Sequence, residues 1–284
     1  MNEMTPGIGT DAELWRTASP ERTVLAVVHT VATLRSVLDA VELLETDPRI
    51  QTTFVLAPDV LTGGRRTELR RLDGLVVTWE QATRTMFDLV IAADSGHLYE
   101  LKGPILKLPH GAMNNRIVPA SVGDPASGFV VGLSRPWLTH YGRVVPASVA
   151  VTHEAALRTL EAQCPEACSR AVLTGDLCLD RLTASGPDRA VYRAALGVRD
   201  DRPVVAISST WGPDSLYARA WPMISDLIRS LDGAHTRAVL HPAAWYTHGP
   251  RQIAAWADGR AGMACAGFPD RLAWTRRGFG RGDW

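Results

Sequence analysis

Two corners of this sequence set a histidine beside a proline at the end of an apolar run. "ILKLPHG" (105–111) places His110 after Pro109 and before Gly111, where a tight turn would lift the imidazole off a sheet edge. Such a histidine can take a proton from an attacking hydroxyl near neutral pH. It can equally be a loop histidine bonded to nearby backbone. "TRAVLHP" (236–242) puts His241 in a corresponding place. There an imidazole or imidazolium would stabilise charge developing on a phosphate leaving group. The alternative is a strand-end histidine satisfied by its neighbours. His248 reads as a helix-start residue, and Trp245 and Tyr246 as packing.

Other polar groups gather at similar strand ends. "SSTWG" presents Ser208, Ser209 and Thr210 in succession. Their hydroxyls and the free N–H groups around them could cradle a phosphate, or could simply cap the helix expected from Ser215. Asp176 and Asp180 in "GDLCLD" could hold a substrate hydroxyl, although carboxylates are common at helix starts. Asn114 and Asn115 are candidates of the same kind. Cys164 and Cys168 have a spacing open to zinc, but no second Cys/His pair matches it, so no metal is expected. No G-x-G-x-x-G opens the first helix, no P-loop lysine motif occurs and no nucleophilic serine elbow is found. Nicotinamide chemistry and ATP hydrolysis of the usual kinds are therefore not expected, and no cofactor is called for.

The elements that would position these groups alternate. "TVLAVVH" (23–29) is a continuous apolar run of the kind buried parallel strands show. A helical pattern follows, with Leu34, Leu38, Val41 and Leu44 on one face and Pro48 beyond its end. "TTFVLAP", "GLVVTW", "FDLVIAAD" and "GPILKLPHG" are further strands separated by helix-compatible stretches. That alternation implies crossover units on a parallel sheet, and ligands of such sheets bind beyond the carboxyl ends of the strands. The stretch 112–150 is rich in Gly, Pro, Ser and Asn and reads as irregular connections around short strands near a cleft. Order returns with "HEAALRTLEAQ", "RAVLTG" and the helix ending at Gly197.

The Asp-rich link "RDDRP" (199–203) marks the expected domain boundary. A second alternating region then starts with "VVAISSTWGP", a helix kinked or split at Pro222, "TRAVLHP", "RQIAAWAD" and "GMACAG". The expected organisation is a flexible segment 1–22, a Rossmann-like domain 23–198, a partial second one 199–269 and an irregular tail 270–284. The tail "DRLAWTRRGFGRGDW" lacks apolar periodicity, and the second domain is expected to be incomplete.

At 284 residues, 46% hydrophobic and 21% charged, the chain has the composition of a packed protein of two ordinary domains. Thirty basic residues balance thirty acidic ones, which gives no global electrostatic case for a nucleic-acid partner. Residues 1–22 lack a signal-like apolar core, and no apolar run reaches the ~18 residues of a membrane span. A cytoplasmic location is expected.

Taken in order, "LPHG", "TGDLCLDRL", "ISSTWGP" and "LHP" resemble the CDP-glycerol glycerophosphotransferase family, the teichoic-acid-type polymerases. The resemblance spans roughly 23–268 and lies mostly in the order of the motifs. It implies an α/β chain of GT-B architecture, with two Rossmann-like domains of parallel sheets facing a cleft. It implies a transferase moving a glycerophosphate or glycosyl group from a nucleotide-activated, CDP-glycerol-like donor to a hydroxyl acceptor. His110 would act as base on the acceptor hydroxyl and His241 would contact the donor phosphates, with Ser208, Ser209 and Thr210 nearby. A lipid-linked or polyol-phosphate acceptor would bring the protein to the inner face of the membrane.

The pattern departs from the family in three places. The usual Gly-x-Pro-Arg-x-Asp is here Gly175-Asp176-Leu177-Cys178-Leu179-Asp180, without the Pro and Arg. The usual Pro-Thr-Trp-Arg is here Ser209-Thr210-Trp211-Gly212, without the Arg. The family's later donor-binding segment has no counterpart before Trp284. Two rival readings follow: a nucleotide-sugar 2-epimerase-like enzyme of the same architecture, or a non-catalytic remnant of it.

Overall fold

The structure is a computed structural model that describes residues 17, 19–58, 74–109, 111, 117–119, 128–258 and 264–265. The expected tail 270–284, most of the segment 1–22, and His110, Asn114 and Asn115 lie outside the described residues. The chain divides into two compact units, Met1–Arg181 and Leu182–Trp284.

The first unit runs β1 (Arg22–Val28), α1 (Val31–Val41), β2 (Ile50–Leu56), β3 (Leu75–Val77), α2 (Trp79–Arg84), β4 (Leu89–Ala92) and β5 (Ile105–Lys107). It continues with β6 (Ile117–Pro119), β7 (Gly128–Val130), α3 (Arg135–Leu138), β8 (Thr139–His140), β9 (Arg143–Val144) and β10 (Ser148–Val151). Last come α4 (Glu154–Gln163), β11 (Ala171–Leu173) and α5 (Leu177–Ala184), which crosses into the second unit. Seven strands form one sheet in the order β11-β10-β5-β4-β1-β2-β3. Every pairing in it is parallel.

Burial explains why β1 is central. Leu25, Ala26, Val27 and Val28 are fully buried, pairing with β2 on one side and β4 on the other. Covering each Val or Leu side chain is worth about 1.5–3 kcal/mol. Thr30 ends the strand's exit and starts α1 with a capping box, its hydroxyl accepting from the Thr33 N–H while Thr33 answers back. Leu34, Val37, Leu38 and Val41 then face the core; Leu44 falls in the turn after the helix.

β10 is a short apolar strand at the end of the stretch read from sequence as irregular connections around short strands, and it joins β5 to β11. Its four residues are too few for the alternation to stand out. β8 and β9 form a hairpin closed by Tyr141 and Gly142, both at positive φ (47° and 74°), as a two-residue primed turn requires.

The second unit holds α6 (Arg189–Ala195), β12 (Val204–Ser208), α7 (Leu216–Arg219), α8 (Trp221–Ser230), β13 (His235–Val239), α9 (Pro242–His248), α10 (Pro250–Asp258) and β14 (Ala264–Cys265). β12, β13 and β14 pair in parallel in that order. Pro222 splits the expected helix: α7 ends at Arg219, and Pro222 occupies the first turn of α8, where its missing N–H costs nothing. His248 closes α9 rather than starting a helix, because Gly249 at φ 79° and Pro250 follow it. The link 199–203 lies between α6 and β12. There Arg193 donates to the carbonyls of Asp200 and Arg202.

Candidate functional site

In the second unit, polar groups collect where β12 and β13 end. Of the three hydroxyls, Ser209 is engaged in the helix start, its Oγ accepting from the Leu216 N–H at 2.8 Å. Ser215 caps α7 through the Ala218 N–H. Ser208 is exposed as the last residue of β12. Thr210 and Trp211 line a cavity of about 750 Å³, whose walls also include Tyr217, Trp221, Thr247 and Trp256.

His241 is the N-cap of α9. Its Nδ1 accepts from the Ala243 N–H at 3.1 Å, and its ring stacks on Trp211 with centroids 4.1 Å apart. Burial pushes its pKa below the usual imidazole value. A neutral ring whose Nδ1 accepts must carry its proton on Nε2, so His241 is built to donate a hydrogen bond. The structure thus brings His241, Trp211 and Thr210 together, while Ser209 performs the capping role.

In the first unit the predicted residues separate. Gly111 is exposed just past β5, at φ 154°. Asp176 precedes α5 and accepts from the Cys178 N–H at 2.9 Å, a capping bond; Asp180 is exposed in the first turn of that helix. β10 stands between β5 and β11, so Gly111 and Asp176 belong to corners two strands apart. Arg181, in the same helix, pairs with Asp39 of α1.

A second cavity, of about 390 Å³, opens in the first unit and was not singled out from the sequence. β1 has β2 on one side and β4 on the other, so the sheet reverses its strand order between β1 and β4. Ligands of doubly wound sheets bind at that reversal. The loop after β4, Asp94-Ser95-Gly96-His97, lines the cavity together with Tyr99, Trp137 and His140. Fully buried His29, just past β1, donates from Nε2 to the Gly96 carbonyl at 2.8 Å and ties the two strand ends together.

His97 takes a left-handed conformation (φ 59°). Its Nδ1 lies 2.7 Å from Glu100 Oε1, and the other carboxylate oxygen accepts from Trp79 Nε1 at 2.8 Å. The Trp79 bond, then His97, hold the Glu100 carboxyl below the usual range. Lys107, the last residue of β5, is 3% exposed and donates to the Leu108 carbonyl. Burial pushes its ammonium down to about 8, with the Asp94 carboxylate opposing the drop. The local sequence shows only that the strand "FDLVIAAD" is followed by Ser-Gly-His, which without the strand order does not single out this end of the sheet.

Among the described residues, no group of three or more His, Cys, Asp or Glu side chains could hold a metal ion. Cys164 is fully buried and packs in the core with Leu138, Val149 and Leu160, and burial pushes its thiol up. No described helix is long and apolar enough to cross a membrane.

No family model and no curated protein matches the chain. Solved structures do. UDP-N-acetylglucosamine 2-epimerase from Rickettsia bellii is 12% identical with a TM-score of 0.52, over 87% of this chain and 69% of that one. The wall teichoic acid polymerase TagF, solved as a histidine-to-alanine variant, is 12% identical with a TM-score of 0.56, over 78% of this chain. This chain spans 57% of the length of the polymerase chain. At that identity the likeness is one of fold: the chain has the α/β, GT-B-like architecture of parallel Rossmann-like sheets.

Proposed function

We propose that the protein is a transferase that moves a glycerophosphate or glycosyl group from a nucleotide-activated donor to a hydroxyl acceptor. The second unit serves the donor and the first the acceptor. The observation that carries this reading is the aromatic-walled cavity beside β12 and β13, with Thr210 and Trp211 in its wall and His241 stacked on Trp211. An apolar cavity of that size with a few convergent polar groups suits a nucleotide. The Nε2–H of a neutral His241 would donate to a donor phosphate oxygen and take up charge as the phosphate leaves. The motif order "LPHG", "ISSTWGP", "LHP", with its resemblance to the CDP-glycerol glycerophosphotransferases, supports a CDP-glycerol-like donor. An acceptor that is lipid-linked or a polyol phosphate would carry the protein to the inner face of the membrane.

Thermal-shift titration with CDP-glycerol, CDP, UDP and UDP-GlcNAc tests this. A ligand at a hundredfold its Kd stabilises the native state by about 2.7 kcal/mol. A rise in Tm with one nucleotide class is expected. A cooperatively unfolding sample that responds to none of the four would refute the proposal. The fold shared with the 2-epimerase favours one rival, and consumption of UDP-GlcNAc with no acceptor present would select it.

A further inference from the structure

The cavity of the first unit has the parts of a proton-accepting site, and none of them belongs to the histidine corners noticed in the sequence. We infer that it binds the hydroxyl-bearing acceptor, a polyol or sugar, and that His97 is the base that removes the hydroxyl proton, held in its working tautomer by Glu100. This assignment rests on the transferase reading above.

Three observations converge. First, the carboxylate of Glu100 can only accept, so neutral His97 carries its proton on Nδ1, facing Oε1 at 2.7 Å. Nε2 is thereby left as a basic nitrogen, and among the described residues it has no hydrogen bond. The Trp79 indole fixes the far oxygen of the same carboxylate, so the pair cannot swing apart freely. A histidine oriented by a carboxylate that is itself oriented is the arrangement a general base needs.

Second, the Ser95 hydroxyl is buried in the cavity wall without a hydrogen-bond partner among the described residues. A buried polar atom left unpaired costs roughly 1–3 kcal/mol. Ser95 lines the cavity, so a rotamer change that turns the hydroxyl toward the open side would let a ligand hydroxyl satisfy it. Third, Tyr99 and His140 stack at 3.7 Å with planes 6° apart, and together with Trp137 they give the cavity flat aromatic faces beside its polar floor. Flat aromatic faces set among a mostly polar lining suit a polyol or sugar, which presents both C–H and O–H groups. The primed turn at Tyr141 and Gly142 folds the hairpin that carries His140.

In the step so assigned, the acceptor O–H proton passes to His97 Nε2. The oxygen lone pair forms a bond to the transferred phosphorus or carbon. The bond from that atom to the nucleotide's phosphate oxygen breaks, its electron pair leaving with the nucleotide. His97 then releases its proton to water.

Imidazole nitrogen NMR of the whole protein, titrated with sn-glycerol 3-phosphate and no nucleotide, tests the site apart from the transfer. His97 is expected to be the Nδ1–H tautomer, its Nε2 resonance moving with the glycerol phosphate. Glu100→Gln keeps an oxygen for Trp79 but turns its amide toward Nδ1, so the tautomer should flip to Nε2–H with the fold intact. In a transfer assay, Glu100→Gln and His97→Asn should each lower kcat by 10²-fold or more, with the donor-induced Tm rise unchanged. Asparagine tolerates the left-handed backbone of residue 97. An Nε2–H tautomer in the unmodified protein, or a His97 signal blind to the probe, overturns the assignment. So does transfer undiminished in both variants. If His97 responds as expected while no nucleotide binds, the site stands and the transferase reading falls.

Discussion

Lys107 offers a stability measurement whose sign and pH window follow from the structure. Its ammonium is buried at the end of β5, with a backbone carbonyl as hydrogen-bond acceptor. Folding lowers its pKa from 10.5 to about 8. Below pH 8 the lysine is charged in both states, and the folded state carries the full desolvation penalty. As pH rises from 8 toward 10.5 the folded protein sheds the proton first, and the penalty fades. At about 1.4 kcal/mol for each pKa unit, the penalty at pH 7 is about 3 kcal/mol. Lys107→Met keeps the length and removes the charge, so it should stabilise the first unit by up to about 3 kcal/mol at pH 6–8. The gain should vanish near pH 10.5. Urea unfolding read by peptide-resolved thiol labelling of Cys164, fully buried in the same unit, isolates the relevant transition. A gain that is constant with pH would mean that packing, not desolvation, is responsible. A loss at pH 7 would mean that attraction to Asp94 outweighs burial.

Two further substitutions probe the donor side and the backbone. His241→Asn retains a side-chain acceptor for the cap of α9 but withdraws the Nε2–H, and should weaken donor binding about 10- to 100-fold in the Tm titration. Unchanged affinity would remove His241 from the donor site. Gly103→Ala places a methyl 2.3 Å from the Phe87 carbonyl oxygen at φ 126°, and should cost about 2–4 kcal/mol in the Cys164 assay. Gly142→Ala meets open space and strains only the turn, so it should cost about 1–2 kcal/mol. Equal losses at the two positions would contradict the close-approach explanation.

The strands that carry the fold were legible because they are long apolar runs buried on both faces, as "TVLAVVH" and "TTFVLAP" are. β10 was not, since four residues between Ser148 and Val151 carry too little pattern. Which strands would neighbour one another depends on pairing across more than sixty residues, as between Val24 and Leu89, and no local signal encodes that. The reversal of strand order between β1 and β4 was therefore hidden, and with it the reason to look past "LPHG" to "ADSGH". Site residues with a local role read ambiguously: Ser209 and Asp176 are typical of both capping and ligand binding, and their hydrogen bonds show capping. His97 carries no motif at all. Its significance lies in Glu100 three residues on and Trp79 from another element, a relation that only the folded chain displays.

The histidines of a strand-end corner look interchangeable in sequence, yet one bond to Nδ1 decides what each can do. At His241 the partner is a backbone N–H, a donor, so Nδ1 must accept and Nε2 must hold the proton. Taking up a second proton would break the cap of α9, and burial opposes the charge as well. His241 is therefore a poor base and a ready hydrogen-bond donor, suited to a phosphate oxygen. At His97 the partner is a carboxylate, an acceptor, so Nδ1 holds the proton and Nε2 is basic. Protonation there strengthens the bond to Glu100 rather than breaking it, which is what a group that must carry a proton for part of a cycle requires. A transfer from a phosphate-linked donor to a hydroxyl calls for one group of each kind. In the proposed reading His241 and His97 fill those two roles from different elements, each fixed by a neighbour that the other could not use.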